Sequence, residues 1–404
     1  MTIEGEIIVR LERDERRVRR VTVRSTRPHA ASRVVLGKAP QDAMAMVPSL
    51  FSICAHAQGA ASASAIEAAE GRSASAEARA SRETAVVLEM VQEYLWRTLV
   101  DWPQAQGQPS ELEPVARVRR LMAPVLSQLA TRARSPGGDV STSAGRVPEP
   151  AIAAIAEVAT QRIYGVAPVE WLALGSHEAV TAWAGRGTTL PARLIDELVA
   201  RSPAFGRSEV ALMPSPDRDA LLAAVVPAMR SDPSFDRAPT WAGIPVETGA
   251  LARTRAHPVV AAFLAVHGNA VLTRFVARLT ELAALIVRLD KPQADDGATQ
   301  GLRSAATRDA LHRVAAFPLG VGEGLAAVET ARGLLLHRAR VTDGRVAEYR
   351  IVAPTEWNFH PQGALARGLE DALVESDAAL ARDAGLLVQA LDPCVACRVE
   401  VACA

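Results

Sequence analysis

The sequence predicts an α+β protein, mainly α, with a helical core and small antiparallel β pairs near both ends. Three observations predict it. Apolar residues recur at helical spacing over most of the chain, while β-branched, strand-like runs fall near the two ends. Glycine, proline and short polar clusters separate these stretches as turns and loops. The chain of 404 residues, 49% hydrophobic and 22% charged, has the make-up of an ordinary globular protein with a substantial core.

The elements follow in order. Glu6 to Leu11 and Arg20 to Arg24 carry β-branched residues, and the charged turn Glu12 to Arg16 joins them as a hairpin. Basic residues from Arg10 to Arg24 alternate with acids and valines, as on a solvated strand face. From Gln41 the pattern is helical through the segment holding Cys54, and alanine-rich to about Ala80. Val87, Met90, Val91, Tyr94 and Leu95 give Glu83 to Val100 an apolar helical face, which stops before Pro103. Glu111 to Arg134 is another amphipathic helix, and Ser135 to Pro150 a loop or linker. Helices are predicted at Ala151 to Arg162, Leu190 to Arg201, Asp217 to Arg230 and His257 to Leu289, then a polar loop from Lys291 to Gly301. The period then changes. Gly333 to Val341 and Val346 to Ala353 read as strands around an Asp343-Gly344 hairpin turn, and a last helix, Gly363 to Ala384, leads into a cysteine-bearing tail. A single domain over 1–404 is expected: strands and the Cys54 segment to residue 80, a helical middle over 81–315, and strands, helix and tail over 316–404.

Composition excludes several classes. The formal net charge is zero, which argues against general electrostatic attachment to nucleic acid. Lys38 and Lys291 are the only lysines, so nearly all positive charge is arginine, as codon bias in a GC-rich genome would give. Acids stand where the basic start of a secretory signal would be, and no apolar stretch follows. The apolar run Val259 to Leu289 is broken by His267, Arg274, Arg278 and Glu281, so it reads as a buried helix and not a membrane span. A cytoplasmic protein is expected.

Four cysteines carry the chemistry. Cys54 stands alone, while Cys394, Cys397 and Cys403 fall within the last eleven residues. Free thiols in a reducing compartment favour metal or redox chemistry over a disulfide framework. A cluster at the end of the chain also needs something to tie it down, and a metal would do so. In Asp392-Pro393-Cys394-Val395-Ala396-Cys397 two thiolates two residues apart are able to grip one soft metal. Alone, the pair is half a zinc site, a redox pair or incidental. A redox pair wants a helix after it, and none is predicted here.

This motif resembles the C-terminal motif of nickel–iron hydrogenase large subunits. Four further matches follow in chain order. Ile3-Glu4-Gly5 resembles their N-terminal strand, and Ser49-Leu50-Phe51-Ser52-Ile53-Cys54 lies where their first cysteine pair does. Ala331-Arg332-Gly333 and Ala353-Pro354-Thr355-Glu356-Trp357-Asn358 resemble the two segments lining the iron. No motif covers about residues 100 to 315. The resemblance implies a large-subunit-like helical core. It also implies that Cys54 and Cys397 match the thiolates bridging both metals, and that Cys394 matches a terminal nickel ligand. Arg332, Pro354 and Thr355 match a pocket for cyanide, with Leu335 as an apolar wall near carbon monoxide. An arginine and a hydroxyl suit that pocket because cyanide nitrogen accepts hydrogen bonds. Trp357 and Asn358 are expected to be structural.

The departures matter more. Phe51 replaces the first cysteine of the N-terminal pair, so nickel has at most three protein sulfurs while both iron thiolates remain. Gln58 stands for a histidine beside the site, and Glu400 for the histidine after the second cysteine pair. Little chain follows Glu400 that a maturation protease could remove. Glu4 matches a proton-relay glutamate, although an acid there is more often solvated; Cys403 has no counterpart. Among relatives of the large subunit, the pattern is closest to hydrogenase maturation accessory proteins of the HupK/HoxV type.

That resemblance implies a non-catalytic scaffold that receives, completes or passes on iron with two cyanides and one carbonyl, Fe(CN)2CO, with nickel unlikely. The implied partners are a hydrogenase large-subunit precursor and the iron-cofactor assembly and maturation chaperone proteins. Competing readings are a divergent active hydrogenase and a metal-free structural relative; a zinc or redox protein comes last.

Overall fold

The computed structural model describes residues 5–27, 30–134, 145–290 and 313–403. Ile3 and Glu4, most of the loop from Ser135 to Pro150, and the polar loop from Lys291 to Gly301 lie outside the described residues.

The predicted N-terminal hairpin is present as β1 (Glu6–Arg13) and β2 (Val18–Ser25), paired with Val9 opposite Val23. Alternation sends Ile7, Val9 and Leu11 into the core. A third strand, β7 (Ala396–Cys403), runs parallel to β1 and gives the sheet order β2-β1-β7. The cysteine tail is thus tied down by a main-chain ladder, where the sequence suggested a metal. The strand was illegible because its partner lies at the other end of the chain.

After short helical turns comes α1 (Ala55–Ala69), made largely of alanine, serine and glycine. Small side chains let its backbone lie on a four-stranded antiparallel sheet, β3 (Val314–Gly320), β4 (Glu323–Thr330), β5 (Gly333–Thr342) and β6 (Arg345–Val352). Gly324 marks the contact: a Cβ there would come within 2.2 Å of Ala65 O and 2.5 Å of Ala69 N. β5 and β6 are the predicted pair. Asp343 (φ 51°) and Gly344 (φ 67°) both adopt the left-handed conformation that a tight hairpin turn requires. β3 and β4 escaped prediction because β4 is buried along most of its length and shows no polar–apolar alternation.

α2 (Ala76–Trp96) contains most of the predicted helix but starts earlier, where the Ser75 hydroxyl accepts from Ala78 N at 3.1 Å. It continues into a wide π-helical turn, Arg97–Asp101. α3 (Leu112–Arg132) packs along it, and Leu190–Arg201 is helical as predicted.

Three predicted helices are each split in two. His257 to Leu289 becomes Pro258–His267 and α4 (Val271–Asp290). The break holds Gly268 at φ 62° and Asn269, whose Oδ1 accepts from Ser208 N at 2.8 Å. Asp217 to Arg230 divides into Arg218–Ala224 and Val226–Ser231, because Pro227 has no N–H to continue the ladder. α5 (Pro354–Asn358) follows β6; then Gly363 to Ala384 divides into Ala364–Leu369 and α6 (Asp377–Leu391), capped by Ser376.

The main hydrophobic cluster joins α1, α2 and α4 to both larger sheets, and a second surrounds Phe235, Trp241 and Trp357. Together these packings bring the start of α1, the turn before β5, α5 and the end of α6 to one place.

Candidate functional site

Cys54 is the residue before α1, with φ −119° and ψ 36°, and its side chain does not cap the helix. Glu89 of α2 performs that task. Its carboxylate accepts from His56 N at 2.7 Å and Ala57 N at 3.1 Å, which leaves the Cys54 sulfur available. Burial pushes the Glu89 carboxyl up to about 8 in spite of those two donors. Gln58 Nε2 points at Cys54 Sγ from 3.6 Å.

Cys394 arrives from the opposite end. α6 stops at Asp392, which takes a left-handed φ of 55°, and Pro393 carries the chain to the thiol. Thr355 holds that thiol twice: its hydroxyl donates to Cys394 Sγ at 3.1 Å, and its oxygen accepts from Cys394 N at 3.3 Å. Cys54 and Cys394 lie within one another's field; burial first, then Cys394, pushes the Cys54 thiol up to about 12. Arg27 lies within the field of both. Its Nη1 donates to Glu356 at 2.9 Å, and Cys394, Glu356 and Cys54 more than offset the effect of burial on its charge.

Asp392 is the hub beneath. Arg97 Nε lies 2.7 Å, Arg332 Nε 3.6 Å and Arg278 Nη2 3.9 Å from its carboxylate oxygens. Those cations outweigh burial and hold the carboxyl below its ordinary range. Arg332 also donates to Glu93 at 2.7 Å, and Asp392, Glu93 and Cys394 together hold its guanidinium well above the usual value. Arg97 belongs to the π-helical turn, the kind of local widening that re-aims a side chain.

Asn358 ties the parts together. Its Oδ1 accepts from Thr248 N at 2.9 Å, and its Nδ2 donates to Arg332 O at 3.2 Å and to Leu391 O at 3.4 Å. Trp357 is fully buried beside it, so both have the structural role expected of them.

Of the predicted site residues, Cys54, Cys394, Arg332 and Thr355 share this neighbourhood. Pro354 opens α5 next to Thr355, and Leu335 lies fully buried in β5 opposite Val328. Cys397 is placed differently. The ladder sets it in β7 opposite Ile7, where burial and then Glu6 push its thiol up to about 12. Cys403 is exposed, opposite Arg13. Phe51 is half-buried and packs against the main cluster. Among the described residues, no three or more histidine, cysteine, aspartate or glutamate side chains surround one metal position.

Sequence reasoning missed Arg27, Glu89, Glu93 and Arg97. Glu89 and Glu93 left a signal, two carboxylates four residues apart on an otherwise apolar helix face. Arg27 left none, since its partner Glu356 lies 329 positions away. An open groove of about 740 Å³ reaches this region past Ser52, Ile53, His56, Glu89 and Arg97.

Comparison with known proteins places the chain. The nickel-dependent hydrogenase family profile matches residues 224–400. Hydrogenase expression/formation protein HoxV of Cupriavidus necator is 32% identical over 387 residues, 93% of this chain and 91% of that protein. Hydrogenase expression/formation protein HupV of Azotobacter chroococcum is 30% identical over 406 residues, 98% of each. The nickel–iron–selenium hydrogenase of D. vulgaris Hildenborough in its reduced state superposes with a TM-score of 0.60 at 16% identity, over 95% of this chain and 96% of that one, a likeness of fold. Among the described residues no helix is long and apolar enough to cross a membrane.

Proposed function

Because the chain belongs to the hydrogenase expression/formation proteins, relatives of the nickel-dependent hydrogenase large subunits, we propose that it is a maturation accessory protein that holds or hands on Fe(CN)2CO while a nickel–iron hydrogenase site is assembled. One observation carries this reading: two half-buried thiols from opposite ends of the chain, Cys54 and Cys394, lie within one another's field and within that of Arg27 and Arg332, and the Thr355 hydroxyl donates to Cys394.

The chemistry of the cargo suits that arrangement. Such an iron brings three ligands of its own and needs few from the protein. Two thiolates on iron add negative charge, and the Arg27 and Arg332 guanidinium groups stand ready against it. Both arginines already pair with carboxylates, Arg27 with Glu356 and Arg332 with Glu93. They are therefore pre-positioned before cargo arrives. Thr355 and Pro354 at the start of α5, and Leu335 behind, complete the proposed lining.

The resemblance assigns the second iron thiolate to Cys397. The geometry favours Cys394, which shares the field of Cys54 and the Thr355 hydroxyl. We therefore propose Cys54 and Cys394 as the first grip, with Cys397 as a further thiol one strand residue inside β7. The partners in this reading are a hydrogenase large-subunit precursor and the maturation proteins that build and deliver the iron group, in the cytoplasm. The protein itself would not turn over hydrogen.

The test is infrared spectroscopy with metal analysis on protein purified without oxygen from a host that expresses the maturation machinery. Cyanide and carbonyl bands with iron and without nickel are expected. Folded protein without bands would overturn the reading, and bands with one nickel per chain would make it an enzyme. C54A and C394A are expected to lose the iron, and C397A to keep more of it. The reverse order for the last two would restore the assignment the resemblance implies.

A further inference from the structure

Behind the Cys54 sulfur stand three side chains that the proposed role has not used. Gln58, one turn into α1, directs Nε2 to Cys54 Sγ at 3.6 Å. Its Oε1 lies 2.9 Å from Nε2 of His337 in β5, and His337 Nδ1 lies 2.7 Å from the hydroxyl of Tyr349 in β6. All three are buried, His337 completely. The Tyr349 ring meets the imidazole edge-on, with centroids 5.5 Å apart, so packing as well as hydrogen bonding sets the angle of the ring.

The direction of this file follows from elementary donor and acceptor rules. An amide oxygen only accepts, so His337 Nε2 must carry the hydrogen that faces Gln58. Burial pushes His337 down to about 3, so at neutral pH the ring is neutral and Nδ1 is bare. A bare Nδ1 accepts from the Tyr349 hydroxyl. Tyr349 therefore donates to His337, His337 to Gln58, and Gln58 to sulfur.

We propose that Gln58, His337 and Tyr349 are positioning residues that lock the Gln58 amide with its N–H toward Cys54, so that the sulfur meets a fixed hydrogen-bond donor when it binds iron. A glutamine alone is two-faced: rotated by half a turn, it would set oxygen lone pairs against a metal-bound thiolate. With hydrogen on His337 Nε2, the rotated amide would face N–H with N–H, and Tyr349 holds the hydrogen on that nitrogen. The sheet thus fixes, at two removes, the environment of a sulfur on the helix. A donor to an iron-bound sulfur withdraws electron density from the metal and lessens its back-donation to carbon monoxide. The inference rests on the iron-holding reading for its purpose, but not for its geometry.

Two measurements separate these. In metal-free protein labelled with nitrogen-15 histidine, long-range proton–nitrogen correlation is expected to show His337 as the Nε2–H tautomer, assigned by its loss in H337F. Y349F is expected to introduce the Nδ1–H form. A wild-type His337 carrying its hydrogen on Nδ1 overturns the proposal without touching the iron reading. In iron-loaded protein, Q58L and Y349F are expected to move the carbonyl band to lower frequency than wild type at similar iron content. An unmoved band at full iron content would make the file merely structural and overturn the proposal. Absence of any band from wild-type protein would instead remove the iron reading, and the tautomer would still decide the geometry.

Discussion

α1, which delivers Cys54, lies on the sheet at Gly324 through alanine, serine and glycine, whereas the turn that delivers Cys394 hangs on one carboxylate among three arginines. The first arrangement is a packing lock. Its accuracy comes from backbone lying on backbone at Gly324, where no side chain is present to rearrange. The second is a charge lock, in which Asp392 in a strained left-handed conformation is held by Arg97, Arg278 and Arg332 from three different segments. A packing lock fails gradually as volume changes. A buried charge lock fails sharply when one member leaves, because the others become uncompensated. The two ends of the site should therefore break differently.

The charge lock should give the largest effect. D392A leaves Arg278 with the carbonyl oxygens of Gln389 and Ala390 and the rings of Tyr94 and Trp102, and strips Arg97 and Arg332 of one partner each. A loss of about 3–5 kcal/mol is expected in denaturant unfolding, as for other broken buried pairs. Hydrogen exchange should locate the damage, with faster exchange in β7 than in α1. Uniform acceleration over both would show that the two locks are one.

Next comes the acid that serves the packing side. Glu89 has a folded value of about 8 against an ordinary value near 4.5, so the folded state keeps a proton that the unfolded state has released. Stability supplied by the protonated form is thus present at about pH 5 and lost as pH rises toward 8, by roughly 2–4 kcal/mol at ~1.4 kcal/mol per unit. E89Q should flatten this slope in the unfolding midpoint between those pH values. A slope unchanged in E89Q would assign the pH dependence to other groups.

How much of this was legible is itself uneven. The terminal strand pairs were, because alternation and the Asp343-Gly344 turn are local signals. The thiols stood out by their clustering and spacing but took their roles from the resemblance, and Arg332 was legible only through it, for nothing local distinguishes it from the many other arginines. The break at Gly268 was hidden by an apolar run that continues on both sides. β7 and the Arg27–Glu356 pair join residues from opposite ends of the chain, and no window along the sequence contains both partners. The role of Gly324 depends on contact with Ala65 and Ala69, far away in the chain, and no local pattern marks it.

That glycine gives the third prediction. In G324A the new methyl would meet Ala65 O and Ala69 N, both backbone atoms that cannot rotate aside. Overpacking of about 1–3 kcal/mol is expected in thermal or denaturant unfolding. The strain should appear as a displacement of α1, and with it a weaker hold on iron at Cys54. G344A, at a turn where nothing lies within 4 Å, should leave iron retention unchanged despite the strain of its φ of 67°. Equal iron loss in both would mean that stability alone, not the seating of α1, governs retention.

The smallest effect should be at Thr355, on the side of the charge lock. Its hydroxyl donates to Cys394 Sγ and accepts from Cys394 N, so T355V removes both bonds while keeping the shape of the side chain. About 1 kcal/mol of stability should be lost, the ordinary worth of a hydrogen bond. Iron retention should fall more than that loss of folding explains, since the thiol is left without its orienting partner. T355S restores the hydroxyl and should restore iron together with stability. If T355S and T355V retain iron equally, the hydroxyl does not orient the thiol, and the charge lock at Asp392 alone sets where Cys394 stands.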